Sequence, residues 1–120
     1  MQPPANPRRG DIWLLNLNPT VGSEIQKRPA LVISSDAFAA TATRIIVPLT
    51  GWQDRFVVYP NKLKVPASAL NGLDKDSAMD VLQIRCVALE RFGKYLGRLE
   101  ADLVDEAAAG VVVAIDYYPG

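Results

Sequence analysis

Three short apolar runs dominate the first half of this sequence: Asp11-Ile-Trp-Leu-Leu-Asn-Leu17, Ala30-Leu-Val-Ile-Ser34 and Arg44-Ile-Ile-Val-Pro-Leu49. Each is too short for an ordinary helix and nearly free of polar residues, which reads as a strand covered on both faces. Pro19, Gly22 and Pro29 punctuate the connection between the first two. Pro48 marks the third as an edge strand or a strand with a bulge near its end. Asp36-Ala-Phe-Ala-Ala-Thr41 suits a short helical turn, and Phe56-Val-Val-Tyr59 a fourth strand. Asn71-Gly72 and Asp74-Lys-Asp-Ser77 are turn signals, followed by a strand pair over Val81–Leu89 and Lys94–Leu99. The period then changes. Leu103, Val104, Ala107, Ala108, Val111, Val112 and Ile115 recur at helical spacing and make one apolar helix face. These elements add up to a small, mostly antiparallel β-barrel with a C-terminal helix packed on it. Residues 1–9 read as a flexible tail, 10–116 as a single domain and 117–120 as a short C-terminal tail.

Composition narrows the function classes. A chain of 120 residues holds one modest core, and at 49% hydrophobic residues it is too apolar for disorder over most of its length. That apolar fraction also points to a buried subunit interface. The formal net charge is zero, so an anionic partner must be held by a local cluster of cations rather than by the field of the whole protein. No segment approaches a bilayer-spanning length, and Met1–Gly10 lacks the apolar stretch of a signal peptide; the cytoplasm is the expected compartment. Histidine is absent, which removes the usual general base and the commonest zinc ligand. Cys86 is the single cysteine and lies in the apolar run Ile84–Leu89, where a buried, inert thiol is expected. Asp74, Asp76 and Asp80 imitate the start of a calcium loop, but Met79 stands where the glycine is required and Arg85 where the glutamate is. No metal and no cofactor are expected.

Two loops remain. Pro29 biases Arg28 toward an extended backbone at the mouth of a strand, and a guanidinium offers a planar fork of donors to a phosphate. Glu24 and Lys27 lie just before it. Thr50 ends the third strand with a hydroxyl, and Trp52 and Arg55 follow. Charge that tracks a backbone beside a ring on which bases stack is the chemistry of single-stranded nucleic-acid binding.

Gly10-Asp-Ile-Trp13, Asn18-Pro-Thr-Val-Gly-Ser-Glu24, Arg28-Pro-Ala-Leu-Val-Ile33, Val47-Pro-Leu-Thr50, Gln83-Ile-Arg85 and Leu96-Gly-Arg-Leu99 occur in unbroken order. Together they resemble the MazF/PemK (Kid) toxins of type II toxin–antitoxin modules, from about Arg9 to Ile115. The resemblance implies an SH3-like barrel with a C-terminal helix, assembled as a homodimer. It implies a metal-independent endoribonuclease that cuts single-stranded RNA at short sequences. The substrate's own 2′-hydroxyl attacks, leaving 2′,3′-cyclic phosphate and 5′-hydroxyl ends. Arg28 and Thr50 match the family's catalytic pair, with Glu24 on the loop that borders the RNA. Lys27, Trp52, Arg55, Gln83 and Arg85 are the expected RNA-binding residues. An antitoxin with a flexible acidic segment is the expected inhibitor. The stretch from Glu24 to Arg28 is one residue shorter than the common family pattern; Val21 replaces a frequent basic residue, and Leu82 an aspartate. Two rivals share the fold: a non-enzymatic gyrase poison like the CcdB toxins, and a catalytically degenerate binding module.

Overall fold

The computed structural model describes residues 6–17 and 27–118, so Glu24 and Val21 lie outside the described residues. The described chain forms seven strands and one α-helix: β1 (Asp11–Asn16), β2 (Lys27–Val32), β3 (Thr43–Gly51), β4 (Lys62–Val65), β5 (Ser77–Asp80), β6 (Arg85–Ala88), β7 (Phe92–Arg98) and α1 (Ala101–Ala114). The strands are hydrogen-bonded in the order β4-β5-β3-β2-β1-β7, with β6 also on β3, and every pairing is antiparallel. The end strands β4 and β7 are not neighbours in this order, so the sheet curls into a barrel-like form without strict closure.

The near-continuous apolar runs are buried on both faces. Ile12, Leu31, Val47, Leu49, Val65 and Met79 face one core, capped by Val104 and Ala107 of α1. Trp13, Leu15, Ala30, Val32, Ile46 and Val87 face a second. Neighbours in sequence alternate between the two, as the two-residue period of a strand requires. Phe92 and Tyr95 pack edge-on against the Trp13 ring, at 5.8 and 5.5 Å between centroids. Opposite Trp13, β7 shifts register against β1 twice, and bulges of this kind bend a sheet.

Four expectations need correction or refinement. Phe56–Tyr59 is not a strand: Asp54–Val58 forms a 3-10 turn that buries Phe56 and leaves Val57 and Val58 in solvent. The real fourth strand starts at Lys62. Pro48 is not on an edge. β3 uses Ile46 and the residues before it to pair β6, and Leu49 and those after it to pair β5, so Pro48 sits in the gap where no amide is required. Cys86 is exposed rather than buried, because Val87 takes the inward position of β6. Val81–Gln83 forms a 3-10 turn between β5 and β6, so that the expected strand over Val81–Leu89 is confined to Arg85–Ala88.

Of residues 1–9, the first five lie outside the described residues. Pro7–Arg9 are tied to the fold: the Pro7 carbonyl accepts from Arg44, and the Arg8 and Arg9 amides donate to Asp11 and Asp36. Among the described residues no helix is long and apolar enough to cross a membrane.

Candidate nucleic-acid interface

Arg28 is the second residue of β2 and Thr50 the penultimate residue of β3. The two strands pair Val32 with Ile46, Leu31 with Val47 and Ala30 with Pro48. Beyond that pairing Arg28 lies on β2 opposite Leu15 of β1, and Thr50 lies on β3 opposite Ala78 of β5. By the two-residue period Arg28 shares the face of Ala30 on β2. Arg28 is exposed and Thr50 half-buried, next to Leu49, which is still in the core. A cation and a hydroxyl thus stand near the ends of two strands.

They open into a groove of about 790 Å³ whose walls include Leu17, Gln53, Arg55, Phe56, Tyr59, Asn61, Lys62, Asp80, Gln83 and Arg85. Four of its residues are cationic and one is anionic. Asp80 accepts from Lys62 Nζ at 2.8 Å and from Asn61 Nδ2 at 3.0 Å, and caps the following turn through the Leu82 amide at 3.1 Å. Burial raises the Asp80 pKa, but these three donors and the Lys62 charge outweigh it and hold the carboxyl below its ordinary value. Lys62 is therefore neutralised in place. Among the described residues Arg28, Arg55 and Arg85 have no carboxylate partner. Within a chain of zero net charge, the described residues place these three cations in one groove.

Of the expected RNA-binding residues, Arg55, Gln83 and Arg85 line this groove with Arg28 and Thr50. Arg55 Nε donates to Gln53 Oε1 at 2.8 Å, which holds its fork at the rim. Lys27 is absent from the groove and lines a smaller adjoining cavity. Trp52 is not a wall of either. Its ring stands edge-on to Phe56 at 5.7 Å, with Lys64 Nζ 5.3 Å from its centroid. The aromatic rings in the groove are Phe56 and Tyr59, of which Phe56 is buried and Tyr59 exposed. Sequence reasoning missed Tyr59, Asn61, Lys62 and Asp80. Tyr59 was hidden by the strand assigned to its segment, and Lys62 and Asp80 meet only because β4 pairs with β5. Asp74, Asp76 and Asp80 do not converge, and among the described residues no group of three or more His, Cys, Asp or Glu could hold a metal ion.

A small antiparallel barrel with a terminal helix and an open cationic groove at its strand ends defines the class. The family comparison is specific: residues 8–115 match the model for the PemK-like, MazF-like toxin of type II toxin–antitoxin systems, and the chain belongs to that family. Endoribonuclease MazF9 of Mycobacterium tuberculosis is 40% identical over 101 residues, 78% of this chain and 83% of the relative. Endoribonuclease EndoA of Bacillus subtilis is 31% identical over 114 residues, 92% of this chain and 97% of the relative. The fold agrees with the crystal structure of MazF from Deinococcus radiodurans, with a TM-score of 0.76 at 23% identity over 95% of this chain and 100% of that one.

Proposed function

We propose that this chain is a toxin endoribonuclease that cuts single-stranded RNA at short sequences, with Arg28 and Thr50 at the bond that is cut. The observation that carries the reading is that both line one groove, with Arg55 and Arg85, which have no carboxylate partner among the described residues. The scissile phosphate sits between them. The 2′-hydroxyl loses its proton and its oxygen bonds to phosphorus. The P–O5′ bond breaks, and O5′ takes up a proton, leaving a 2′,3′-cyclic phosphate and a 5′-hydroxyl. Charge gathers on the non-bridging oxygens in the transition state, and fixed donors lower that barrier. The Arg28 guanidinium supplies charge and a fork of donors, and the Thr50 hydroxyl adds a donor from the other strand. A guanidinium offers donors and no acceptor, so Arg28 stabilises charge and does not act as the base. Glu24 takes the proton in this scheme. Arg55, Gln83 and Arg85 hold the flanking chain, and Tyr59 offers a ring on which a base stacks.

An antitoxin with a flexible acidic segment suits the same groove, since its carboxylates would compete with phosphates for Arg28, Arg55 and Arg85. The active assembly is a homodimer in the cytoplasm, in which two neutral protomers pool their groove cations along one RNA path.

The test is incubation of purified protein with a long single-stranded RNA in EDTA, beside Arg28→Ala and Thr50→Ala. Cuts at a short sequence with 5′-hydroxyl ends are expected, slowed by about 10²-fold or more in either variant, the loss typical of one transition-state donor. Circular dichroism melts confirm that both variants are folded. Intact RNA across a diverse pool, or undiminished cutting by both variants, overturns the reading.

A further inference from the structure

A second cavity of about 320 Å³ adjoins the groove and shares Arg28, Leu49 and Thr50 with it. The shared residues make Thr50 a junction: a strand of RNA that reaches it along the groove has a way out on the other side. The far wall carries Lys27, Gly51 and Lys75. Lys75 is placed there by its surroundings. A Cβ at Gly51 would lie 3.1 Å from both Cε and Nζ of Lys75, so the lysine tip rests on the bare face of the residue next to Thr50. The backbone beneath it is fixed. Gly51 pairs with Ser77, whose hydroxyl donates to the Lys75 carbonyl at 3.0 Å, and the Trp52 amide donates to the Asp76 carbonyl at 2.9 Å. The Asp76 carboxylate is already engaged, accepting the Ala67 amide at 2.9 Å. Among the described residues of the cavity wall, Asp74 is the one carboxylate, against three cations, Lys27, Arg28 and Lys75.

We propose that Lys75, with Lys27 beside it, binds a second backbone phosphate of the RNA, next along the chain from the one cut at Arg28 and Thr50. This inference rests on the nuclease reading and deepens it. The groove with Arg55 and Arg85 takes the RNA on one side of the cut, and the Lys75 cavity takes it on the other. Lys75 is a binding residue here: the contact exists before and during the reaction, so it lowers KM and leaves kcat unchanged. A Cβ at Gly51 would press on the lysine tip and require it to give by a few tenths of an ångström.

The experiment uses a short RNA containing the mapped cut site, and a set in which each flanking phosphate in turn is a neutral methylphosphonate. Wild type, Lys75→Ala and Lys75→Arg are compared. In wild type, one methylphosphonate position adjacent to the cut is expected to lower kcat/KM by about three- to tenfold through KM, the size of a partly solvated charge contact. Lys75→Ala shows that loss on unmodified RNA and no further loss at that position, while Lys75→Arg restores wild-type sensitivity. On an uncleavable analogue with 2′-deoxyribose at the cut, the slope of log affinity against log salt becomes shallower by about 0.7 in Lys75→Ala, one released counterion on a single strand. If wild type cuts but the losses from Lys75→Ala and every methylphosphonate multiply, the phosphate subsite is wrong and the nuclease reading stands. If wild type leaves the unmodified RNA intact, the nuclease reading falls and takes the subsite with it.

Discussion

At the scale of single residues, Arg44 shows how a charge can be buried in this fold without a carboxylate. Its residue is 4% exposed, yet its guanidinium donates to four carbonyls: Pro7 at 3.0 Å, Ala39 at 3.0 Å, Thr41 at 2.9 Å and Thr43 at 2.8 Å. A planar fork reaches all four, whereas an ammonium is a point with three donors. The side chain therefore staples the approach to β1, the turn after Asp36–Phe38 and the start of β3 into one corner. Arg44→Met should lower unfolding free energy by about 2–4 kcal/mol, since the carbonyls lose a charged donor and a buried cradle is left unfilled. Urea melts check this. Arg44→Lys should fall between, and a Met variant within about 0.5 kcal/mol of wild type would show the cradle to be a spectator. Asp11 plays a related part at the opposite strand: it is buried, accepts the Arg8 amide and the Trp13 indole, and pairs with Arg98 at 2.6 Å. The Gly10-Asp-Ile-Trp13 motif, read in the sequence as a mark of the family, thus has an architectural job away from the groove.

At the scale of elements, Glu100 links the helix to the loop over residues 66–72. It precedes α1 and accepts the Ser68 hydroxyl at 2.7 Å and the Asn71 amide at 3.1 Å. Asn71 is buried and braces the loop by accepting the Ser68 and Leu73 amides and donating to the Pro66 carbonyl. Gly72, at φ +69°, passes so close to the Leu96 carbonyl that a side chain would strike it. Burial raises the Glu100 pKa, but the hydrogen bonds from Ser68, its own backbone and Asn71 more than offset this and leave it below the ordinary value. A carboxyl with a depressed folded pKa contributes stability above its unfolded pKa, and that contribution is lost as pH falls through the folded one. Glu100→Gln should therefore cost about 1 kcal/mol at pH 7 and much less near pH 3, as read from thermal melts at both. An equal cost at the two pH values would remove the charge from the explanation. These elements also show which parts of the fold were legible in the sequence. β1, β2 and β3 are written as unbroken apolar runs because both faces are covered, and α1 is written in its period. Phe56-Val-Val-Tyr59 carries the same β-forming composition, but the Phe56 ring is gripped by Trp52, Tyr59 and the Lys62 ammonium, and the chain coils around that anchor. Local propensity yields there to one packed ring. Arg28 and Thr50, singled out by the family resemblance, do line one groove, each near the end of its strand. Tyr59, Lys62 and Asp80 could not be read, because sheet pairing brings them together and no local pattern announces it.

At the scale of the whole molecule, apolar surface is left over where the barrel ends. Val113, Ile115 and Tyr118 are 72, 65 and 78% exposed, at the close of α1 and just beyond it. Gly110 of the same helix abuts the buried Val81 in the turn after β5, and Leu82 in that turn is 61% exposed. Leu82 stands where the family pattern has an aspartate, which adds to the exposed apolar surface. Single exposed hydrophobics are ordinary, but a joined set on a small chain marks an interface. A stable one needs roughly 1,000 Å² or more in total. The core takes Leu103, Val104, Ala107 and Val111 of α1, which leaves Val112, Val113 and Ile115 at its C-terminal end exposed for a second copy. The expected outcome is a dimer in sedimentation equilibrium at micromolar concentration, with Val113→Glu combined with Ile115→Glu shifting it to monomer while the far-ultraviolet spectrum is retained. RNA cleavage by the doubly substituted protein should fall with dimer content, because pooled cations and not net charge hold the substrate of a neutral chain. A wild-type monomer at that concentration, or a double variant that stays dimeric, would move the interface elsewhere or remove it, and a monomer that cuts at full rate would show that one groove suffices.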